Sequence, residues 1–327
     1  MTPILDVRNL VTEFATQPGN PALKAVDDVS FALNRGEILG LVGESGSGKS
    51  VTGFSIMGLV DPPGRVSQGQ VLFEGRDLTG LGPADMRDLR GRRIAMVFQD
   101  PMMTLNPVLR VGTQLTETLH AHEQLSRREA WSRARDALAM VGIPSPEERM
   151  NAYPHQFSGG MRQRVAIAIA ILHKPDLIIA DEPTTALDVT IQAQVIHEFQ
   201  RLAETANTAV IWITHDLAIV SRLADRIAVM YGGRLVESGP VADILTRPRH
   251  PYTKGLIGSV PSQNSRGQRL MQIPGMTPGL GRLPAGCAFQ ARCARADALC
   301  RVQPELSIEG ERGYRCFHPI AEQVAGA

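Results

Sequence analysis

A chain of 327 residues is long enough for about two domains. Its 43% apolar and 20% charged residues are the balance of a globular protein and exclude wholesale disorder. Lys and Arg total 34 against 33 Asp and Glu, and a net charge of +1 argues against a nucleic-acid binder that works by bulk phosphate neutralisation. The N-terminus, Met1-Thr2-Pro3-Ile4-Leu5-Asp6, lacks the basic and apolar regions of a signal peptide, so the expected compartment is the cytosol. No uncharged apolar run approaches the ~18–20 residues of a membrane span. The longest candidate, Val165 to Leu172, is closed off by Arg164 and Lys174.

Leu5, Val7 and Leu10, then Val26, Val29, Phe31 and Leu33, alternate on either side of the turn-rich Gln17-Pro18-Gly19-Asn20-Pro21. This predicts antiparallel strands with one buried face. Ile38-Leu39-Gly40-Leu41-Val42 is continuously apolar, as in a buried strand, and enters a glycine-rich loop followed by a helix from Lys49 to Leu59. Val71-Leu72-Phe73 and Ile94 to Phe98 predict further strands. From about Pro101 to Tyr153 the pattern becomes helical and charged, most clearly over Arg127 to Met140, which reads as a helical insertion into a sheet protein. Beyond it come a helix from Arg162 to Leu172, buried strands at Leu177 to Ala180 and Val210 to Ile213, and a helix from about Ile191 to Thr205 between those strands. Strand, helix, strand with continuous apolar strands predicts a parallel α/β sheet. After about Pro248 the chain turns Pro/Gly-rich and weakly periodic, which places a domain boundary there.

Gly43-Glu44-Ser45-Gly46-Ser47-Gly48-Lys49-Ser50 fits G-x-x-x-x-G-K-[ST] with a strand before it and a helix after it. Glycines let successive backbone N–H groups curl into an anion nest, and the helix N-terminus adds partial positive charge. Lys49 reaches the outer phosphates and the Ser50 hydroxyl suits Mg²⁺. Asp181 ends a buried strand, as expected of the acid that holds the metal's water shell. Glu182 follows it, placed to orient and deprotonate an attacking water.

Phe157-Ser158-Gly159-Gly160-Met161-Arg162-Gln163 resembles the signature motif of ABC-type ATPases, with Phe and Met where the commonest form has Leu and Gln. Gln99 in Phe98-Gln99-Asp100-Pro101 resembles that family's Q-loop, Ala186-Leu187-Asp188 its D-loop, and His215 in Ile213-Thr214-His215-Asp216 its switch histidine. Phe14 stands where the family places an adenine-stacking aromatic, more commonly Tyr. The resemblance implies an α/β P-loop nucleotide-binding domain over residues 1–247, with an antiparallel β subdomain and a helical insertion over about 100–157. It also implies that ATP and Mg²⁺ bind, with Ser50, Gln99 and Asp181 around the metal. Ser158, Gly159, Gly160 and Met161 are then expected to close over the γ-phosphate held by a second cassette. Ser158 at a helix N-cap is the structural alternative.

One cassette, a short insertion and no fused membrane span resemble a separate ATPase subunit of a bacterial importer. Gln99 to Pro107 and Arg249-His250-Pro251-Tyr252-Thr253 resemble the ATPase subunits of oligopeptide and dipeptide importers, in which the His-Pro-Tyr segment opens a C-terminal extension, here 248–327. That resemblance implies a second, distinct ATPase chain, two permease subunits, an extracytoplasmic solute-binding protein and a place on the cytoplasmic face of the membrane, with no nucleic-acid partner. Nickel importers share much of the pattern, and a soluble mechanoenzyme acting on nucleic acid or ribosome is the alternative class.

All four cysteines fall in the extension as Cys287-x5-Cys293-x6-Cys300-x15-Cys316. Four clustered thiols in a reducing compartment point to zinc or an iron–sulfur cluster, with plain buried thiols as the alternative. Structural zinc usually shows pairs two to four residues apart, and none occurs here. Cys287, Phe289, Arg292 and Cys293 resemble the Cys-x-Phe-x-x-Arg-Cys of D-type peptide-importer subunits, which implies a [4Fe–4S] cluster.

Overall fold

The computed structural model describes residues 2–17, 19–185, 187–260 and 271–321. They form two compact units, one of Met1–Ile4, Asn34–Glu37 and Gly80–Trp212, the other of Leu5–Leu33, Ile38–Thr79 and Ile213–Ala327.

The chain opens in the second of these units with β1 (Leu5–Phe14) and β2 (Leu23–Leu33), then β3 (Ile38–Val42), helix α1 (Lys49–Met57), β4 (Gly64–Phe73) and β5 (Arg76–Asp77). β1 runs antiparallel to β2, with Leu5 opposite Leu33, and antiparallel to β4, with Leu5 opposite Phe73. This four-stranded sheet, in the order β2-β1-β4-β5, buries Leu5, Val7 and Leu10 on one face. β3 is buried along its whole length, which explains its unbroken apolar sequence.

The other unit carries α2 (Pro83–Leu89), β6 (Ile94–Val97), α3 (Val111–His120), α4 (Arg127–Met140), α5 (Pro146–Arg149), α6 (Gly159–Ile171), β7 (Leu177–Asp181), α7 (Val189–Ala206) and β8 (Ala209–Thr214). β6 and β7 are parallel, Val97 beside Ala180, so the segments after Val97 and after Asp181 leave the same sheet edge. In open α/β sheets the strand carboxyl ends are where ligands bind. α4 is the core of the insertion. The Ser126 hydroxyl accepts from the Glu129 N–H at 3.2 Å and starts the helix. Its buried residues, Ala130, Ala134, Ala137 and Leu138, repeat at helical spacing. α6 buries residues on nearly every side and is a central helix. α7 buries Val195, Phe199, Leu202 and Ala203, and Phe199 meets Trp212 edge-on at 5.1 Å.

The chain then returns to the unit of β1 through α8 (Leu217–Leu223), β9 (Arg226–Tyr231), β10 (Arg234–Pro240), α9 (Val241–Thr246), α10 (Pro251–Gly258), β11 (Ser307–Glu309) and β12 (Arg312–Tyr314). β9 lies parallel to β3, and β10 turns back on β9 through Gly232-Gly233, both at positive φ. Two such residues make the turn whose twist matches a tight hairpin. β12 pairs with β10, Glu237 opposite Tyr314, so a strand from the C-terminal segment joins the sheet. Glu237 is 1% exposed. Its carboxylate accepts from the Arg249 and His250 N–H groups at 2.7 and 2.8 Å and pairs with Arg312 at 3.3 Å. A buried acid is tolerated only with such partners.

Candidate active site

The glycine loop follows from β3. Gly43 has φ +156°, and a Cβ there would lie 2.2 Å from the Met230 carbonyl oxygen. At Gly48, φ +101°, it would lie 2.4 Å from the Ala25 oxygen. Neither position admits a side chain. Gly46 is exposed at φ +78°, and Gly48 caps α1. The Lys49 ammonium, 7% exposed, donates to the carbonyls of Gly43 at 2.8 Å and Glu44 at 3.0 Å, and to the Ser47 hydroxyl at 3.4 Å. Ser47 is fully buried and its carbonyl accepts from the Gly233 N–H at 3.0 Å. Ser45 is exposed beside Gly46, and Ser50 lies half-buried in the first turn of α1. Phe14, half-buried, ends β1 with its ring against Gly64, and His215, exposed, follows β8.

Sequence reasoning missed the residues that hold Glu44. Its N–H donates to the Tyr252 hydroxyl at 2.8 Å. Its carboxylate accepts from both terminal nitrogens of Arg292, at 2.5 and 3.0 Å, and from the Thr277 hydroxyl at 2.5 Å. Burial pushes the Glu44 carboxyl up, but the Arg292 and Thr277 hydrogen bonds and the charges of Arg292 and Lys49 outweigh it and leave it below its ordinary value. Tyr252 is the aromatic of the His-Pro-Tyr segment and Arg292 the arginine of Cys-x-Phe-x-x-Arg-Cys, so both motifs were visible but their target was not. Phe289 of the same motif packs edge-on against Tyr231 at 5.3 Å and tilted against Tyr252 at 5.3 Å. His250 caps α10, its Nδ1 accepting from the Tyr252 N–H at 3.1 Å.

In the unit of β6 and β7, Gln99 is exposed two residues past β6. Asp181, 2% exposed, closes β7. A buried carboxylate at a strand end is the hard oxygen chemistry that Mg²⁺ takes. Glu182 has φ +49°, a left-handed backbone unusual for a residue with a side chain, and its Oε2 accepts from the Thr185 hydroxyl at 2.7 Å. Such backbone costs about 1 kcal/mol or more and clusters where geometry matters for chemistry. Ser158 caps α6, accepting from the Met161 N–H at 3.3 Å. Ser158 and Gly159 are exposed, Gly160 and Met161 half-buried, and a Cβ on Gly159 would meet nothing within 4 Å. The 13-residue helix α6 therefore presents its positive end to solvent. Gln163, one turn on, is buried and donates to the Phe98 carbonyl at 3.2 Å, tying α6 to the residue before Gln99. Asp188 caps α7 by accepting from the Ile191 N–H at 3.0 Å, and Ala186 lies outside the described residues.

Cys300 is buried, Cys287, Cys293 and Cys316 are half-buried, and no disulfide joins them. Burial raises the Cys287 and Cys293 thiols and lifts Cys316 to about 11, and the neighbouring cysteines push the same way. Thiols in that state ionise when a cation binds. The Arg295 N–H donates to the Cys293 sulfur at 3.4 Å. Such bonds tune thiolate-bound metal centres. A single tetrahedral zinc, with Zn–S near 2.3 Å, needs sulfurs about 3.8 Å apart. Among the described residues, the group whose ligand atoms converge within 4.8 Å is instead Asp297, Cys300 and His318.

Residues 26–185, a stretch that contains the glycine loop, Asp181 and Glu182, match the ABC transporter family. Residues 236–300 match the oligopeptide/dipeptide transporter C-terminal region. A dipeptide transport ATP-binding protein of Bacillus subtilis is 50% identical over 95% of this chain and 93% of its own. An oligopeptide transport ATP-binding protein of Salmonella typhimurium is 47% identical over 98% of this chain and 95% of its own. The chain belongs to the ABC transporter family, among its oligopeptide and dipeptide transport ATP-binding proteins. A solved dimeric bacterial ABC transporter cassette matches it with a TM-score of 0.66 and 27% identity, over 72% of this chain and 98% of the cassette. A post-hydrolysis state of a cassette bound to ADP and Pi matches with a TM-score of 0.66 and 26% identity, over the same shares of both chains. The chain binds ATP and hydrolyses it. No described helix is long and apolar enough to cross a membrane.

His250 carries a pH dependence. Burial lowers its pKa from 6.5 to about 3, so the native imidazole stays neutral where the unfolded one takes a proton. Stability is therefore held above pH 6.5 and falls as pH drops from there toward 3. Between pH 7.5 and 5.5 this group contributes a loss of about 1.4 kcal/mol. His250→Asn, which keeps a capping acceptor, should show a pH slope smaller by that amount in denaturant titrations. Equal slopes would contradict the neutral buried imidazole.

Proposed function

We propose that the chain is the ATP-hydrolysing subunit of an importer of di- or oligopeptides, peripheral on the cytoplasmic face of the membrane and coupled to two integral-membrane permease subunits. The observation that carries this reading is the grip of the His250-Pro251-Tyr252 segment and the cysteine-bearing extension on the glycine loop of an ABC-type ATPase. The match of 236–300 to the peptide-transporter C-terminal region supports the substrate class. A second, related but distinct ATPase chain completes the pair, and an extracytoplasmic solute-binding protein delivers the peptide.

In this reading Phe14 stacks on adenine, while Lys49 and the N–H groups of Gly43 to Ser50 hold the β- and γ-phosphates. Ser50, Gln99 and Asp181 hold Mg²⁺, which neutralises phosphate charge. Glu182 takes a proton from water as the water oxygen bonds to the γ-phosphorus and the bond to the β–γ bridging oxygen breaks, leaving ADP and phosphate. His215 touches the γ-phosphate and reports its loss. Ser158, Gly159, Gly160 and Met161 offer the open end of α6 to the γ-phosphate bound by the partner ATPase, with Asp188 at the same interface. ATP is then the glue between the two cassettes, and its loss releases them.

Cys287, Cys293, Cys300 and Cys316 hold one [4Fe–4S] cluster with a structural role. The gathering of all four cysteines in an extension whose elements are short turns and three-residue strands supports this. A single zinc ion on Asp297, Cys300 and His318 is the second reading that the geometry favours.

Lys49→Ala should abolish tight MgATP binding. Glu182→Gln should keep binding but slow hydrolysis by about 100-fold or more; hydrolysis near the wild-type rate would contradict the general base. Anaerobic purification should give a brown protein with about four irons per chain. One stoichiometric zinc in a colourless preparation would decide for zinc in place of the cluster.

A further inference from the structure

Phosphate binding calls for positive charge, yet the sequence puts a carboxylate, Glu44, inside the anion nest. It lies within electrostatic range of Lys49. Left alone, that charge opposes an incoming phosphate and competes for the lysine. The fold answers it from the C-terminal extension. Arg292 forks onto both Glu44 oxygens, a planar bidentate geometry that Lys does not reproduce. Arg292 is itself held by the Pro274 carbonyl at 2.7 Å, the Gly275 carbonyl at 3.3 Å and the Tyr231 hydroxyl at 3.3 Å. Its guanidinium lies 5.8 Å from the Tyr231 ring centre and 5.9 Å from that of Phe289. With its side chain 6% exposed, it is a preorganised counter-charge.

We propose that Arg292 is a positioning residue for nucleotide binding, neutralising Glu44 so that the glycine loop binds phosphate at full affinity only while the cysteine-bearing extension is folded against it. The proposal rests on the reading of Gly43 to Ser50 as the ATP site. Arg292 directly precedes Cys293, and Phe289, two residues after Cys287, is wedged between Tyr231 and Tyr252. Order in the Cys287–Cys293 segment is thus passed to the loop through two charged hydrogen bonds. The extension becomes a condition for ATP affinity, and the Phe and Arg of Cys-x-Phe-x-x-Arg-Cys gain a task separate from holding a metal.

The test is calorimetric titration of the full chain with MgAMPPNP. Arg292→Gln should weaken binding about tenfold, as an unneutralised charge near the phosphates implies, and Arg292→Lys should fall between it and the wild type. Glu44→Gln added to Arg292→Gln should restore most of the lost affinity, because the charge that needed masking is gone. Unchanged affinity in Arg292→Gln overturns the proposal. So does a loss that Glu44→Gln fails to restore, since it would not come from the charge on Glu44. A folded wild-type chain that does not bind MgAMPPNP would overturn the ATP-site reading itself.

Discussion

The Gly43–Ser50 loop runs where the backbone of its neighbours leaves no room for side chains, and much of its unit is arranged to hold it there. Gly43 lies against the end of β9 at Met230, and Gly48 against β2 at Ala25. The hairpin turn adds a hydrogen bond from Gly233 to Ser47, while Asp27 of β2 accepts from Lys24 and Arg234 and donates its own N–H to the Gly233 carbonyl. β3 delivers the chain into the loop, β9 runs parallel to β3, and the Gly232-Gly233 turn sends β10 back. A nest of amides works as an anion site only if its curvature is fixed before the anion arrives. The surrounding strands supply that rigidity.

The extension reaches the loop by the same route. β12 pairs with β10, and the buried Glu237 carboxylate gathers the Arg249 and His250 amides at the start of α10. His250 then caps that helix and Tyr252 props Glu44. What holds this segment is mainly polar: the Glu237 site, the Arg249–Glu309 fork and the Arg292–Glu44 fork. Its apolar contribution is concentrated in Phe289, Tyr231 and Tyr252, while Met276 and Ile308 remain largely exposed. A segment with so little core would gain from the metal site proposed for it, because ligand binding free energy becomes folding free energy.

Local pattern carried far along the sequence and failed where distance entered. The phosphate loop was legible because its residues are contiguous and flanked by the required strand and helix. The helix from Arg127 to Met140 was legible in its alanine spacing. α6 and α7 start two or three residues earlier than apolar periodicity suggests, because Ser158 and Asp188 cap them and the cap sets the boundary. The β9–β10 hairpin went unread although Gly232-Gly233 marks it, since β9 is apolar on both faces and shows no alternation. The fork from Arg292 to Glu44 spans 248 residues, and no local pattern announces such a pair. The left-handed backbone at Glu182 is likewise imposed by tertiary structure, since a glutamate does not choose it alone.

ATP hydrolysis at this loop as the driver of peptide import is the claim on which the whole account turns. Its most direct test is uptake of a labelled peptide into proteoliposomes holding the assembled transporter, with nucleotide on the ATPase side. The account predicts accumulation with MgATP, and none with MgAMPPNP or when this chain carries Lys49→Ala. ATP hydrolysis that proceeds with no peptide entering the vesicles would contradict it.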